Sequence, residues 1–405
     1  MFLIKMAVRN IFRQKRRTIL TGLSMFGGFV LGSFFIAWAD GTYNGIIDMF
    51  TRTRLGHIQI HAGDYLDQPS LYKTIDVLAK IGPVIEAVKG VESWAPRVDF
   101  GGLVSVGDKS AGARLTGIDP ARENETTHFD RRIVEGRAFS LAPSHEAVIG
   151  SGLAKNLEAG IGGSLVVLSQ AADGSMANDA YRIVGIATTG DEMTDRTSVY
   201  LHWKDAQDLM VLGDRVHEIA VVVDSLSAVP RVTRLFRERL GGQELSVEPW
   251  QVFARSFYKA MKADKEGMWI TLLVVILIVA VGVLNTVLMA VLERRREYGL
   301  LKAVGTRPRQ VFEMVMMEAA FLAVICILLG SVVALILNSY VSAHGIRLSE
   351  PISYGGIKLA SMNTELNLRS FLIPALTVLA TAGLAALFPS LKAARTVPAK
   401  TMRMH

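Results

Sequence analysis

The sequence predicts a membrane α-helical fold with four transmembrane helices and a large α+β extracytoplasmic domain inserted between helices 1 and 2. Three observations carry this expectation. First, four stretches lack any Asp, Glu, Lys or Arg: Ile19–Ala39, Met268–Leu292, Ala319–Leu337 and Phe371–Leu391, of 21, 25, 19 and 21 residues. A helix rises about 1.5 Å per residue, so roughly 20 residues cross a hydrocarbon core about 30 Å thick. Second, basic residues gather beside these stretches. Third, residues 41–265 alternate between period-two and helical patterns, as a mixed domain does.

The charge pattern orients the chain. The net charge of +7 is spread unevenly. Residues 1–17 hold six basic residues and no acid, 293–313 six against three, and 392–405 four and none. Residues 41–265 hold 25 basic against 29 acidic, and the short loop 341–369 three against two. Lys and Arg in short loops stay on the cytoplasmic side. Both termini and 293–313 are therefore expected inside, and 41–265 and 341–369 outside. A positive charge placed this way reads as topology, so nucleic-acid binding is not expected.

Taken in order, residues 1–17 are expected to form a cytoplasmic amphipathic helix, with Ile4, Val8 and Ile11 on one face. Residues 18–40 form the first span. Its Gly28-x-x-x-Gly32 pair suits close helix–helix packing in the membrane. Its end, Ala37–Asp40, resembles a signal-peptide cleavage site, but 21 apolar residues exceed the usual h-region, so a retained anchor is expected.

Residues 41–265 form the extracytoplasmic domain. Gly56–Ala62 alternates, with Ile58 and Ile60 facing inward and His57, Gln59 and His61 on a solvated strand face. Further strands are expected at 97–106, 113–118, 146–149, 165–169, 181–186, 198–201 and 218–223. Helices are expected at 77–88, 152–158, 205–211 and 229–240. Residues 120–215 read as an insertion between two parts of one unit. From Trp250 to Leu292 nothing breaks the helical pattern, so one continuous helix is expected to enter the second span, 266–292. The remaining segments are 293–313 inside, a span at 314–340, the outer loop 341–369, a span at 370–391 and an inner tail at 392–405. Cys326 lies within the third span and is the sole cysteine, so no intrachain disulfide is possible.

No catalytic residue, resident cofactor or metal site is expected. The sequence holds no G-x-x-x-x-G-K-[ST], G-x-S-x-G or H-E-x-x-H. His57 and His61 are four strand positions apart, about 13 Å, too far for one metal ion. The spans hold no charge except Glu318 at the edge of the third, which disfavours an ion-coupled pathway.

Residues 293–305 carry the sharpest signal. Leu300, Leu301 and Val304 interleave with Arg296 and Lys302, Gly305 can end a helix, and Pro308 suits the first turn of the next. This describes a short helix on the inner membrane face, suited to docking a cytoplasmic partner.

The run ERRREYGLLKAVGT (Glu293–Thr306) resembles the segment after the second span in FtsX/MacB-type, or type VII, ABC transporter permeases. AVRNIFRQKRRTIL (Ala7–Leu20), EAVIGSGLAKNL (Glu146–Leu157), YRIVGIATTG (Tyr181–Gly190), VYLHWKDAQDLM (Val199–Met210) and PSLKAARTVPAKTMR (Pro389–Arg403) resemble other parts of the same family, in order. Within it, LGHIQIHAGDYLD (Leu55–Asp67) is similar to lipoprotein-releasing permeases.

The resemblance implies a permease of the bacterial inner membrane without its own ATPase. It would work with an ABC ATPase dimer that binds ATP and Mg, and with a second permease copy or paralogue. Membrane lipid and a periplasmic carrier or adaptor are further implied partners. Glu293, Arg296, Glu297, Gly299, Leu300, Lys302, Val304 and Gly305 would couple the ATPase, and Gly28 and Gly32 would pack spans. Lipoprotein extraction or export is the leading expectation. Peptide or antibiotic export, mechanotransmission to an envelope hydrolase, and an ATPase-free sensor are the alternatives.

Overall fold

The computed structural model describes residues 15–76, 78–241, 244–354 and 357–396. The surface helix expected within 1–17 therefore lies largely outside the described residues, as does most of the tail. The chain divides into two compact units: Met1–Tyr43, Met261–Arg347 and Ser361–His405 form one, Asn44–Ala260 and Leu348–Ala360 the other.

The first unit contains most of four long helices. These are α1 (Lys15–Phe50), α9 (Arg255–Glu293), α11 (Pro308–His344) and α12 (Arg369–Ala394), all long and apolar enough to cross a membrane. Between α9 and α11 lies the short α10 (Arg295–Ala303). Small residues set the packing. The β-carbon of an alanine at Gly330 in α11 would lie 2.7 Å from Phe29 of α1, whose side chain is fully buried. Gly32 faces Pro374 of α12, where a β-carbon would sit in ordinary contact at 3.5 Å, and Gly28 is half-buried. Polar contacts tie the other end of the bundle. Asp40 pairs with Lys265 at 3.2 Å and accepts from Asn367 at 2.9 Å, and Thr364 donates to the Asn338 carbonyl at 2.6 Å.

The second unit is built on one sheet. Its elements are β1 (Ile58–Ala62), α2 (Leu78–Glu86), β2 (Val91–Val106), β3 (Lys109–Ile118), α3 (Pro120–Thr127), β4 (Ile133–Gly136), β5 (Glu146–Gly150), α4 (Ser151–Leu157), β6 (Ser164–Gln170), β7 (Met176–Ala187), α5 (Glu192–Asp195), β8 (Ser198–His202), α6 (Trp203–Leu209), β9 (Glu218–Val223), α7 (Val229–Leu240), β10 (Leu245–Pro249) and α8 (Trp250–Phe253). The strands run in the order β10-β1-β9-β2-β3-β8-β5-β7-β4, with β6 joining β2 to β7. Among the described residues, the β3–β8 and β5–β7 pairs are parallel and the other strand pairs of this sheet antiparallel. The strands of 120–215 thus continue the sheet outward from β3.

Ile58, Ile60, Val98, Leu115, Ile219 and Val221 share a buried core with α2 and α7. Alternation along a strand puts neighbouring residues on opposite faces. The face carrying His57, Gln59 and His61 was expected to be solvated. It is not: His57 and His61 are fully buried and Gln59 nearly so. The end of α1 and the segment 63–73 cover it: Asp48 pairs with His57 at 3.2 Å, Gln59 donates to the Leu55 carbonyl, and Tyr65 stacks on His61.

The helix expected to run unbroken from Trp250 is interrupted. The backbone leaves the helical region at Ala254 (φ −103°, ψ 42°), separating α8 from α9. Trp250 is anchored in the sheet unit's core, and the rings of Phe257 and Tyr258 meet it edge-on at 6.2 and 5.6 Å. The bend at Ala254 accommodates that cluster. The segment after α11, expected only as a loop, forms a hairpin of β11 (Ile346–Tyr354) and β12 (Ile357–Met362).

Candidate coupling site

The site is α10 and the turns that hold it. At its start the chain leaves α9 at Arg294 (φ −90°, ψ 10°). Arg294 is 3 % exposed, and its guanidinium meets both oxygens of Glu318 in α11, at 3.0 and 3.1 Å. A charge this deeply buried needs such a partner. At its end, Gly305 takes φ +105°, a left-handed conformation that glycine adopts without strain. Pro308 then opens α11, where the Gln310 side chain accepts from the Arg307 amide at 2.9 Å.

One side of α10 is fastened inward. Tyr298 and Gly299 are buried, and burial pushes the Tyr298 phenol up to about 12, so it stays neutral. Lys302 donates to the carbonyls of Ala394 and Thr396, both at 2.8 Å. A cation there satisfies groups that the end of α12 leaves open and complements its dipole.

The other side faces out. Glu293, Arg296, Glu297, Leu300, Val304 and Gly305 are exposed, Leu300 by 58 % and Val304 by 83 %. Arg296, Leu300 and Val304 recur every four residues and so form one stripe. Of the eight residues singled out in the sequence, six therefore lie outward, while Gly299 and Lys302 face the bundle. The sequence reading missed Arg294, Tyr298 and Glu318. The one signal for them was Glu318, the lone charge at a span edge. Gly28 and Gly32 lie elsewhere, along the first helix. This arrangement presents a charged and apolar ridge on a braced helix. Among the described residues, no group of three His, Cys, Asp or Glu is placed to hold a metal ion.

The family model for the MacB-like periplasmic core domain matches residues 18–239, and that for the FtsX-like permease C-terminal region matches 269–398. Among curated proteins, the lipoprotein-releasing system transmembrane protein LolC of Neisseria meningitidis serogroup B is 24% identical over 78% of this chain and 79% of its own. The macrolide export ATP-binding/permease protein MacB of Pasteurella multocida is 21% identical over 84% of this chain and 52% of its own. The periplasmic region of MacB from Actinobacillus actinomycetemcomitans aligns structurally with a TM-score of 0.37, at 16% identity, over 50% of this chain and 92% of that one. The chain belongs to the MacB-like periplasmic core domain family and, with its FtsX-like C-terminal region, is a type VII ABC transporter permease related to the lipoprotein-release permeases.

Proposed function

We propose that this permease sits in the bacterial inner membrane with both termini and α10 cytoplasmic, and extracts lipoproteins using a separate ATPase. The carrying observation is the braced ridge of α10: Arg296, Leu300 and Val304 point outward while Tyr298, Lys302 and Arg294 fasten the helix to the bundle. A helix held this way passes on a push instead of yielding to it. Exposed apolar residues give affinity, and the charges around them steer association. The ATPase dimer supplies ATP and Mg chemistry when bound. This chain docks it through α10 and moves its spans, and the sheet unit follows. A second permease copy or paralogue completes the complex, and a periplasmic carrier receives the cargo.

Lipoprotein cargo is favoured over antibiotic cargo by the match to LolC, which covers nearly equal shares of both chains. The test is to isolate the permease–ATPase complex from membranes and analyse it by mass spectrometry. Triacylated or diacylated protein should co-purify and leave on ATP addition. Recovery of phospholipid alone, unchanged by ATP, would contradict the cargo assignment and leave the docking claim to its own test.

A further inference from the structure

A cleft of about 680 Å³ opens in the sheet unit, within the range of small-ligand sites. One wall is the polar face of β1, β9, β2 and β3. It carries His61, Glu218, Asp99 and Arg114, and Tyr65 closes over them. Leu55, Leu66, Phe100 and Phe253 supply an apolar wall. Nothing in the coupling of an ATPase uses this cleft.

The polar groups of the wall are partly spent on one another. Arg97 is spent on two partners: it binds Glu123 through 3.1 and 2.7 Å contacts and Glu218 Oε1 at 2.8 Å. Arg114 leans on Asp99 Oδ1 at 3.3 Å, where Thr116 also donates at 2.8 Å. The buried Arg132 acts on Glu123 as well, away from Asp99 and Glu218. The histidines add no cation. His217 accepts from the Asp99 amide through Nδ1 and faces the Leu71 carbonyl through Nε2, as a neutral imidazole does. Burial pushes His61 down to about 4. Burial and the neighbouring Asp99 push Glu218 up to about 7, against the pull of Arg97.

The unmet groups converge. Glu218 Oε2 has no hydrogen bond among the described residues, and His61 Nε2 stands 3.9 Å from it. Asp99 Oδ2 has none among the described residues either. Tyr65 is 9 % exposed and lines the cleft, and its hydroxyl makes no hydrogen bond among the described residues. Neutral His61 has one N–H to give, and acceptors already stand at both ring nitrogens, the His217 carbonyl at 3.1 Å and Gln59 Oε1 at 3.2 Å. What the two carboxylate oxygens lack is a donor. An ammonium supplies three donors and no acceptor, and aromatic faces attract it.

We propose that this cleft binds the ammonium group of an amphipathic primary amine between Glu218, Asp99 and Tyr65, with its apolar part against Leu66 and Phe253. Arg114 then acts as a competitor for Asp99, so its removal strengthens binding. An anionic ligand held by Arg114 requires the opposite sign.

The test uses the full chain in lipid nanodiscs, with 4-phenylbutylamine as probe and 4-phenylbutan-1-ol and 4-phenylbutyrate as uncharged and anionic matches, read by saturation-transfer NMR. The amine should bind saturably and the other two at least about tenfold more weakly, the scale of one charge-assisted hydrogen bond. Arg114→Ala should tighten amine binding severalfold, Tyr65→Phe weaken it about threefold, and Glu218→Gln about tenfold. Because Glu218→Gln disturbs a buried ion pair, the Arg114→Ala and Tyr65→Phe variants decide the matter if it does not fold. Equal binding of all three probes, no saturable amine binding, or weaker binding in Arg114→Ala would overturn the proposal.

Discussion

The two units hold their buried charges in opposite ways. In the helical unit the pair of Arg294 with Glu318 is sealed at the foot of α10, while Arg296, Leu300 and Val304 face outward. In the sheet unit Arg97 is shared between Glu123 and Glu218, Arg132 acts on Glu123 too, and Arg114 pairs with Asp99 beside them. The first arrangement braces a handle; the second leaves chemistry unsatisfied beside a cleft. Buried pairs are weak sources of net stability but costly to break, so the two regions should respond differently to the same kind of substitution.

The largest expected effect follows from that difference. Arg97→Met strands Glu123 and Glu218, and should cost the sheet unit about 3–5 kcal/mol. Denaturant unfolding of the full chain in nanodiscs, followed by tryptophan fluorescence, measures it; a loss below about 1 kcal/mol would refute the shared-contact picture. Leu300→Asp should leave unfolding unchanged yet lower affinity for the ATPase by about 2 kcal/mol or more, as loss of a central anchor does. Binding titration with the purified ATPase reads this, and equal loss of stability would erase the contrast between the regions. Gly330→Ala drives a methyl into the buried Phe29 ring and should cost about 1–3 kcal/mol, visible in thermal unfolding of the helical unit. A neutral result would mean that α1 and α11 pack more loosely than the contact implies.

Smaller effects test the rim of the sheet unit. Arg137 and Ser140 hold the Glu146 carboxyl down to about 2, below its ordinary value. A depressed acid stabilises the fold fully above its unfolded value, about 4.5, and loses that contribution as pH falls toward 2. Arg137→Ala should therefore flatten the stability–pH curve between about 4.5 and 2, modestly because Arg137 is half exposed to solvent. An unchanged curve would show that the pair contributes nothing. Asp119 caps α3, accepting from the amides of Ala121 and Arg122 at 3.1 and 3.2 Å. Asp119→Ala should cost about 1 kcal/mol.

How far the sequence could be read depended on the range of the interactions involved. The four long helices were legible because crossing a membrane is a matter of local composition. The outward stripe of α10 was legible for a similar reason: residues four apart share a helix face, and Gly305 and Pro308 punctuate its end. The fastening of α10 was not, since Lys302 reaches carbonyls 92 and 94 residues away. In β1 the alternation correctly separated Ile58 and Ile60 from His57, Gln59 and His61, but period two assigns faces without saying what lies on them. The cover came from the end of α1 and from Tyr65 in the segment 63–73. The charge partners of Arg97 lie 26 and 121 residues off. Likewise, no helix-breaking residue marked the interruption at Ala254, because the packing of Trp250 causes it.

The claim that α10 is the docking ridge is tested most directly by a photo-crosslinking amino acid placed at Leu300 in cells, where the complex forms natively. Irradiation should join the permease to a nucleotide-binding subunit, while the same probe at the inward-facing Tyr298 should not. Adducts with outer-face proteins, or equal ATPase adducts from both positions, would contradict the account.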